Sequence, residues 1–316
     1  MKIHIVIKSL FDGVSSNKIG KLNIFFWLLI IFQTEVYAQD SMVVNNLRIL
    51  THEEFKSLGE TNLTKVNKRP VIMKFHHKSG GKLFYYGSSH TYNPNDPMLK
   101  DIEKQFTGFR PDIVFWEGGN PNKKNELPKL LETIVREIGE AGFVRYLARE
   151  NAIPDKTLEP SPFAVIAELR KKFTDSEIFI HGILTQTEQA KRMGKSDVEL
   201  DSIVVVGIKK AKLAGFKEIP EDIIQFSVEV HKLITQVENW HQVVLDMVAP
   251  KSLEDSLTTR LQRMSTESSV IRDRHMLTML LTEVAKGKRV FAVVGASHVI
   301  MQEPGLCEFF NKRYKN

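Results

Sequence analysis

A single cysteine, Cys307, stands in 316 residues, so no internal disulfide framework is available and the fold must hold by packing. Long apolar runs are also missing. The stretch from Ile24 to Phe32 is well short of the roughly 20 residues that a membrane-spanning helix needs. No basic tract with interleaved aromatics occurs, which removes nucleic acid from the expected partners. The formal charge of +6 is a mild excess over many charges of both signs, as on a solvated surface.

What is present begins with the N-terminus. Lys2, Lys8, Lys18 and Lys21 precede the Ile24–Phe32 run, and Val36-Tyr37-Ala38 follows it. A basic region, a short apolar core and an A-x-A-like site predict a secretory signal peptide over residues 1–38 and an exported protein, periplasmic or extracellular. The alternative is an uncleaved anchor, which would be the only contact with a membrane. No cysteine lies near the cut to carry a lipid. Residues 39–69 form a polar lead-in with a short helix expected at Thr51–Leu58. Asn62-Leu63-Thr64 is a glycosylation sequon, meaningful only in a host that glycosylates secreted proteins.

Residues 70–316 suffice for one large domain with a full core. Val71–His77 and Lys82–Tyr86 are apolar runs joined by Lys78-Ser79-Gly80-Gly81, a hairpin signal. Met98–Phe106 reads as a helix. Asp112–Trp116 and Arg289–Val294 are continuous apolar strands of the kind buried on both faces of parallel sheets. Lys156–Leu158 is a weaker strand. From Leu127, the positions Leu131, Ile134, Ile138 and Ala141 predict one long amphipathic helix. Ser161-Pro162 reads as an N-cap with proline at the first helical position. Beyond Pro220, the residues Ile223, Phe226, Val230, Ile234, Val237, Trp240, Val244 and Met247 form a helical stripe expected to pack on neighbouring helices. Ser202–Gly207 and Val270–Val284 are also read as helical. Strands alternate with helices at both ends of this region. That pattern predicts an α/β fold with a largely parallel central sheet and a helical insertion at about 161–266.

The chemistry is expected where the strands stop. Tyr85-Tyr86 runs into Gly87-Ser88-Ser89-His90, and Val293-Val294 runs into Gly295-Ala296-Ser297-His298. Glycine permits a sharp exit from a sheet, and ligands of open α/β sheets bind outside the carboxyl ends of strands. If these strands are parallel, both histidines reach one edge. Glu117 ends a third strand and Glu159 a fourth, so two imidazoles and one or two carboxylates can converge. His76 and His77 are read as exposed strand residues, His231 and His241 as helix histidines, and His181 has no partner that can be named from sequence.

The two Gly-x-x-His motifs, the strand-end glutamate and the helix Arg272-Asp273-Arg274-His275-Met276 resemble the TraB/Tiki/erythromycin-esterase/ChaN superfamily, in its GumN/TraB-like form. The resemblance spans most of residues 71–305. It implies two related β/α halves, each supplying one Gly-x-x-His, and it marks Gly87, His90, Glu117, Arg272, Gly295 and His298, with Glu159 beside them. Tiki-like members are metal-dependent proteases, erythromycin esterases hydrolyse a lactone with histidine-activated water, and ChaN-like members bind haem. The chain departs from the pattern at Leu158-Glu159-Pro160 and in the length of its helical insertion.

Two mechanisms fit these residues. His90, His298 and Glu117 or Glu159 can hold a divalent metal, manganese, cobalt or zinc, that activates water, with Arg272 stabilising an oxyanion. Alternatively one histidine is the general base, oriented by Glu117, with no metal. For Arg272 the bland reading is a salt bridge to Asp273 or a nearby glutamate. A haem- or metal-carrying protein is the non-enzymatic reading, with Tyr85, Tyr86 or Tyr92 as an axial oxygen. The expectation is an exported, metal-dependent hydrolase acting on peptide or small ester substrates.

Overall fold

The computed structural model describes residues 47–61, 69–119, 126–251 and 259–311. The expected signal segment and the Asn62-Leu63-Thr64 sequon lie outside the described residues. The protein is α/β, with one five-stranded sheet among the described residues.

After a first helix, α1 (His52–Thr61), strands β1 (Val71–His76) and β2 (Lys82–Ser88) form an antiparallel hairpin. Helix α2 (Pro97–Phe109) leads to β3 (Ile113–Trp116); α3 (Leu131–Ile138) and α4 (Glu140–Glu150) lead to β4 (Asp155–Thr157). Then come α5 (Pro162–Leu169), α6 (Asp175–Arg192), α7 (Asp197–Leu213), α8 (Ile223–Leu233) and the short α9 (Leu245–Val248). Helix α10 (Arg260–Ala285) returns the chain to β5 (Arg289–Gly295), and α11 (Ala296–Phe309) follows. The strand order is β1-β2-β5-β3-β4, and β2, β5, β3 and β4 run parallel.

Alternation along each strand explains the layers. Leu83, Tyr85, Ile113, Phe115, Val290, Ala292 and Val294 face the side covered by α10 and α11. Phe84, Tyr86, Val114, Trp116, Phe291 and Val293 face the side covered by α2 and α4. The strands therefore read as unbroken apolar runs because both faces are buried. The helical insertion has its own apolar core, built from residues such as Phe179, Val204, Phe226, Trp240 and Met264. Helix α10 belongs to both: Leu261 and Met264 pack in the insertion, while Met276, Leu277, Leu280 and Val284 pack on the sheet.

Two helical expectations need correction. The amphipathic run through Leu131 and Ala141 is two helices broken at Gly139 (φ 74°, ψ −154°), a backbone conformation open only to glycine. The apolar periodicity continues across the break, so sequence alone reads it as one rod. The stripe from Ile223 to Met247 is likewise interrupted. Helix α8 ends at Leu233, a 3-10 turn spans Trp240–Gln242, and Val244 is exposed. His231 Nδ1 lies 2.7 Å from the Val237 carbonyl and ties the chain back where the helix stops.

Candidate active site

Parallel pairing aligns the strand ends. Ser88 of β2 pairs with Gly295 of β5, and Trp116 of β3 pairs with Val293. His90, Glu117 and His298 consequently emerge at one edge of the sheet. The two Gly-x-x-His motifs are alike in sequence but not in shape. Gly87 is still inside β2, and His90 lies in the loop beyond it with a left-handed φ of 28°. His298 sits instead in the first turn of α11.

Each imidazole is held by a different buried carboxylate. His90 Nδ1 lies 2.7 Å from Oε1 of Glu140, the first residue of α4. Glu140 Oε1 also accepts from Ser88 Oγ at 2.8 Å, and Oε2 accepts from the Thr91 amide at 3.0 Å. The break at Gly139 makes this possible, because a β-carbon there would lie 2.8 Å from the Thr91 carbonyl oxygen. The hydrogen bond to Glu140 raises the His90 pKa against the opposing effect of burial. In Glu140, burial disfavours charge, but the bonds from His90, Thr91 and Ser88 prevail and its pKa falls.

His298 Nδ1 lies 2.7 Å from Oδ1 of Asp273, which is fully buried. That oxygen also accepts from Gln302 Nε2 at 2.6 Å, and Gln302 Oε1 accepts from the Tyr85 hydroxyl at 2.9 Å. On its other side, His298 Nε2 is 3.0 Å from Arg272 Nη1 and 3.4 Å from Glu117 Oε1. Burial opposes charge on this ring, yet Asp273 and Glu117 together raise it to about 9. Arg272 acts the other way, since a guanidinium only donates and pairs best with a neutral acceptor nitrogen. The proton on Nε2 thus decides whether that nitrogen pairs with Glu117 or with Arg272.

Arg272, near the middle of α10, is the hub. Its Nη2 donates to Glu117 Oε1 at 2.7 Å and to Glu159 Oε1, and its Nε donates to Glu159 Oε2 at 2.8 Å. Glu117 Oε2 accepts from the Gly295 amide at 2.5 Å, and Glu159 Oε1 from the Gly118 amide at 3.0 Å. Burial disfavours charge on Glu117, but His298, Arg272 and the Gly295 amide hold it far below the ordinary carboxylate range. The salt bridges that Arg272 makes are to Glu117 and Glu159, not to its neighbour Asp273.

His90 Nε2 remains turned toward this cluster. A β-carbon built on Gly295 would stand 2.9 Å from it and 3.3 Å from Glu117 Oε2, so glycine keeps the space between them open. The site is therefore a crevice with His90 half exposed at its mouth and His298 buried at its base.

A metal fits these atoms poorly. Both oxygens of Glu117, both of Glu159 and Nε2 of His298 are engaged with Arg272 or backbone amides. Among the described residues, no three His, Cys, Asp or Glu side chains are grouped to hold an ion. Three of the four expected ligands, Glu117, Glu159 and His298, surround a fixed guanidinium instead, and His90 is held by Glu140. For haem, Tyr85 and Tyr86 are fully buried on opposite faces of the sheet, with hydroxyls bonded to Gln302 and Asp101, so neither offers an axial oxygen at the crevice. Tyr92 is exposed.

Sequence reading placed His90, Glu117, Glu159, Arg272 and His298 together, and the structure brings all five to this edge. It missed Glu140 and Gln302, and gave Asp273 no part beyond pairing with Arg272. His52 of α1 was also missed. Burial lowers its pKa, and it lies within electrostatic reach of Asp273 and His298. His181 turns out to lie within the insertion, 2.6 Å from Ser265 Oγ, where burial lowers its pKa to about 4. His77 stacks on Phe309 rather than facing solvent alone. Comparison with family models, curated proteins and solved structures found no match to this chain.

Proposed function

We propose that this chain is an exported hydrolase of amide or ester bonds that activates water with His90 as general base. The observation that carries this reading is the pair of imidazoles. Each is held at Nδ1 by a buried carboxylate 2.7 Å away, and each turns Nε2 toward the same glutamate–arginine cluster. A carboxylate on Nδ1 fixes the tautomer that leaves Nε2 as the proton acceptor. His90, half exposed and backed by Glu140, is the ring that water and substrate can reach. Ser88 points its hydroxyl at Glu140 and the Val294 carbonyl, which leaves it unsuited as a nucleophile.

The deeper half of the site supplies positive charge. When His298 takes up a proton, its Nε2 turns from acceptor to donor and pairs with Glu117. Arg272 Nη1 is then released toward the crevice, where a guanidinium stabilises a developing oxyanion. The left-handed backbone at His90 is consistent with a functional constraint, as strain gathers at such sites. Export rests on residues 1–38, and no substrate beyond a peptide or small ester is proposed.

The test is an assay of the purified protein on panels of peptides and esters, with and without a chelator. Turnover insensitive to chelation and reduced about a hundredfold or more by His90→Ala is expected. Wild-type turnover in both His90→Ala and His298→Ala would sink the reading. Activity that disappears with the chelator and returns with manganese, cobalt or zinc would replace it by a metal-dependent one.

A further inference from the structure

Outside the crevice, the helical insertion carries an exposed apolar surface with no partner among the described residues. Twelve large apolar side chains are exposed among the described residues, and nine of them lie between Met193 and Leu245. Four are on α7: Val198, Val205, Val206 and Leu213, the first 75 % and the last 87 % exposed. The buried side of α7 is Leu200, Val204, Ile208 and Ala211. At 3.6 residues per turn the four exposed residues, with Ser202 and Lys209, share the opposite face.

The charges along this face are segregated. Glu199 and Asp201 flank it in the N-terminal half, Lys210 and Lys212 flank it in the C-terminal half, and Lys209 lies on it. The acids have local partners, Glu199 with Lys195 and Asp201 with His241. The three lysines have no carboxylate partner among the described residues. Such a pattern, acid at one end and base at the other of an apolar stripe, is complementary to itself when reversed.

We propose that α7 is the seam of a symmetric dimer, packed antiparallel against α7 of a second copy about a two-fold axis between Val205 and Val206. In this register Val198 faces Leu213, Ser202 faces Lys209, and Val205 faces Val206. Glu199 and Lys210 lie on one flank of the stripe, and Asp201 and Lys212 on the other. A two-fold axis keeps each flank on its own side, so Glu199 meets Lys210 of the second copy and Asp201 meets its Lys212. Both pairs are offset by about 3 Å along the helix axis, within reach at the usual spacing of packed helices. An interface of this kind is isologous, each patch serving both copies. It is independent of the chemistry assigned to the crevice.

Sedimentation equilibrium of the purified protein tests the seam. A dimer is expected, weakened on the order of a hundredfold by Val205→Asp, a surface change that leaves the core of the insertion intact. The Lys210→Glu/Lys212→Glu variant should be monomeric, as should Glu199→Lys/Asp201→Lys, with folding of each checked by circular dichroism. Mixing these two variants should restore a one-to-one complex through opposite charge. A wild-type monomer at all concentrations, or a dimer indifferent to Val205→Asp, would overturn the proposal. Failure of the two folded charge variants to associate would overturn the antiparallel register.

Discussion

Glu140 Oε1 and His90 Nδ1 are 2.7 Å apart although fifty residues separate them in the chain. The contact depends on a helix break at Gly139 that no strand-end motif announces. Glu140 is nearly inaccessible, whereas the His90 side chain is 60 % exposed, so the pair joins a fixed anchor to a reachable ring.

Replacing Glu140 by Gln removes the charge that raises the His90 pKa. A general base works only when deprotonated, so the acid limb of the rate profile should move to lower pH. The maximum rate should fall about a hundredfold as the tautomer loses its anchor. A kcat/KM profile against pH checks both; an unmoved acid limb would remove His90 from the role of base.

Gly295→Ala separates function from folding. The added β-carbon meets the far end of His90 at 2.9 Å and Glu117 Oε2 at 3.3 Å. His90 is flexible enough at its tip to yield, so the melting temperature should change by only a few degrees. Turnover should fall on the order of a hundredfold, because Nε2 is displaced from its place. Thermal melts run beside the assay decide the point.

Stability should weaken on the alkaline side. His298 rises from an ordinary 6.5 to about 9 in the folded protein. The stabilisation this represents is fully present below about 6.5 and is lost as pH rises through about 9, a change of at most on the order of 3 kcal/mol. Glu117 behaves in the opposite sense: its lowered pKa adds stability above the ordinary carboxylate range, lost as pH falls through its folded value. Urea denaturation from pH 6 to 10 should show the alkaline loss in the wild type and not in His298→Gln.

Arg272→Ala strips the cation from between Glu117 and Glu159. Two largely buried carboxylates are then left facing each other, and the protein should lose about 3–5 kcal/mol. Since those carboxylates and His298 Nε2 are freed together, zinc should recover part of that loss in thermal melts of the variant. No recovery would mean that the cluster is shaped for a guanidinium and for nothing else.

The sheet was legible because its strands are buried on both faces, which writes them as continuous apolar runs such as Val290 to Val294. Position at strand ends then brought His90, Glu117, Glu159 and His298 into view, and the helix motif added Arg272. What stayed hidden depends on contacts that leave no periodic trace. Glu140 looks like any polar residue on an amphipathic helix until Gly139 breaks the rod and aims its carboxylate at the loop after β2. Gln302 is one polar side chain on a mostly apolar helix, and only the fold brings it to Asp273. The interruption after Leu233 was invisible for the same reason: Val237 and Trp240 are buried at helical spacing, though not by a helix.

Arg272 and Asp273 are consecutive residues on α10, whose two ends are embedded in different apolar cores. Their separation is consequently set by a rod and not by a loop. Surface helices of the insertion can be lengthened, shortened or exchanged over evolutionary time, changing what enters the crevice. The spacing between the guanidinium and the carboxylate that grip His298 from either side would survive such changes.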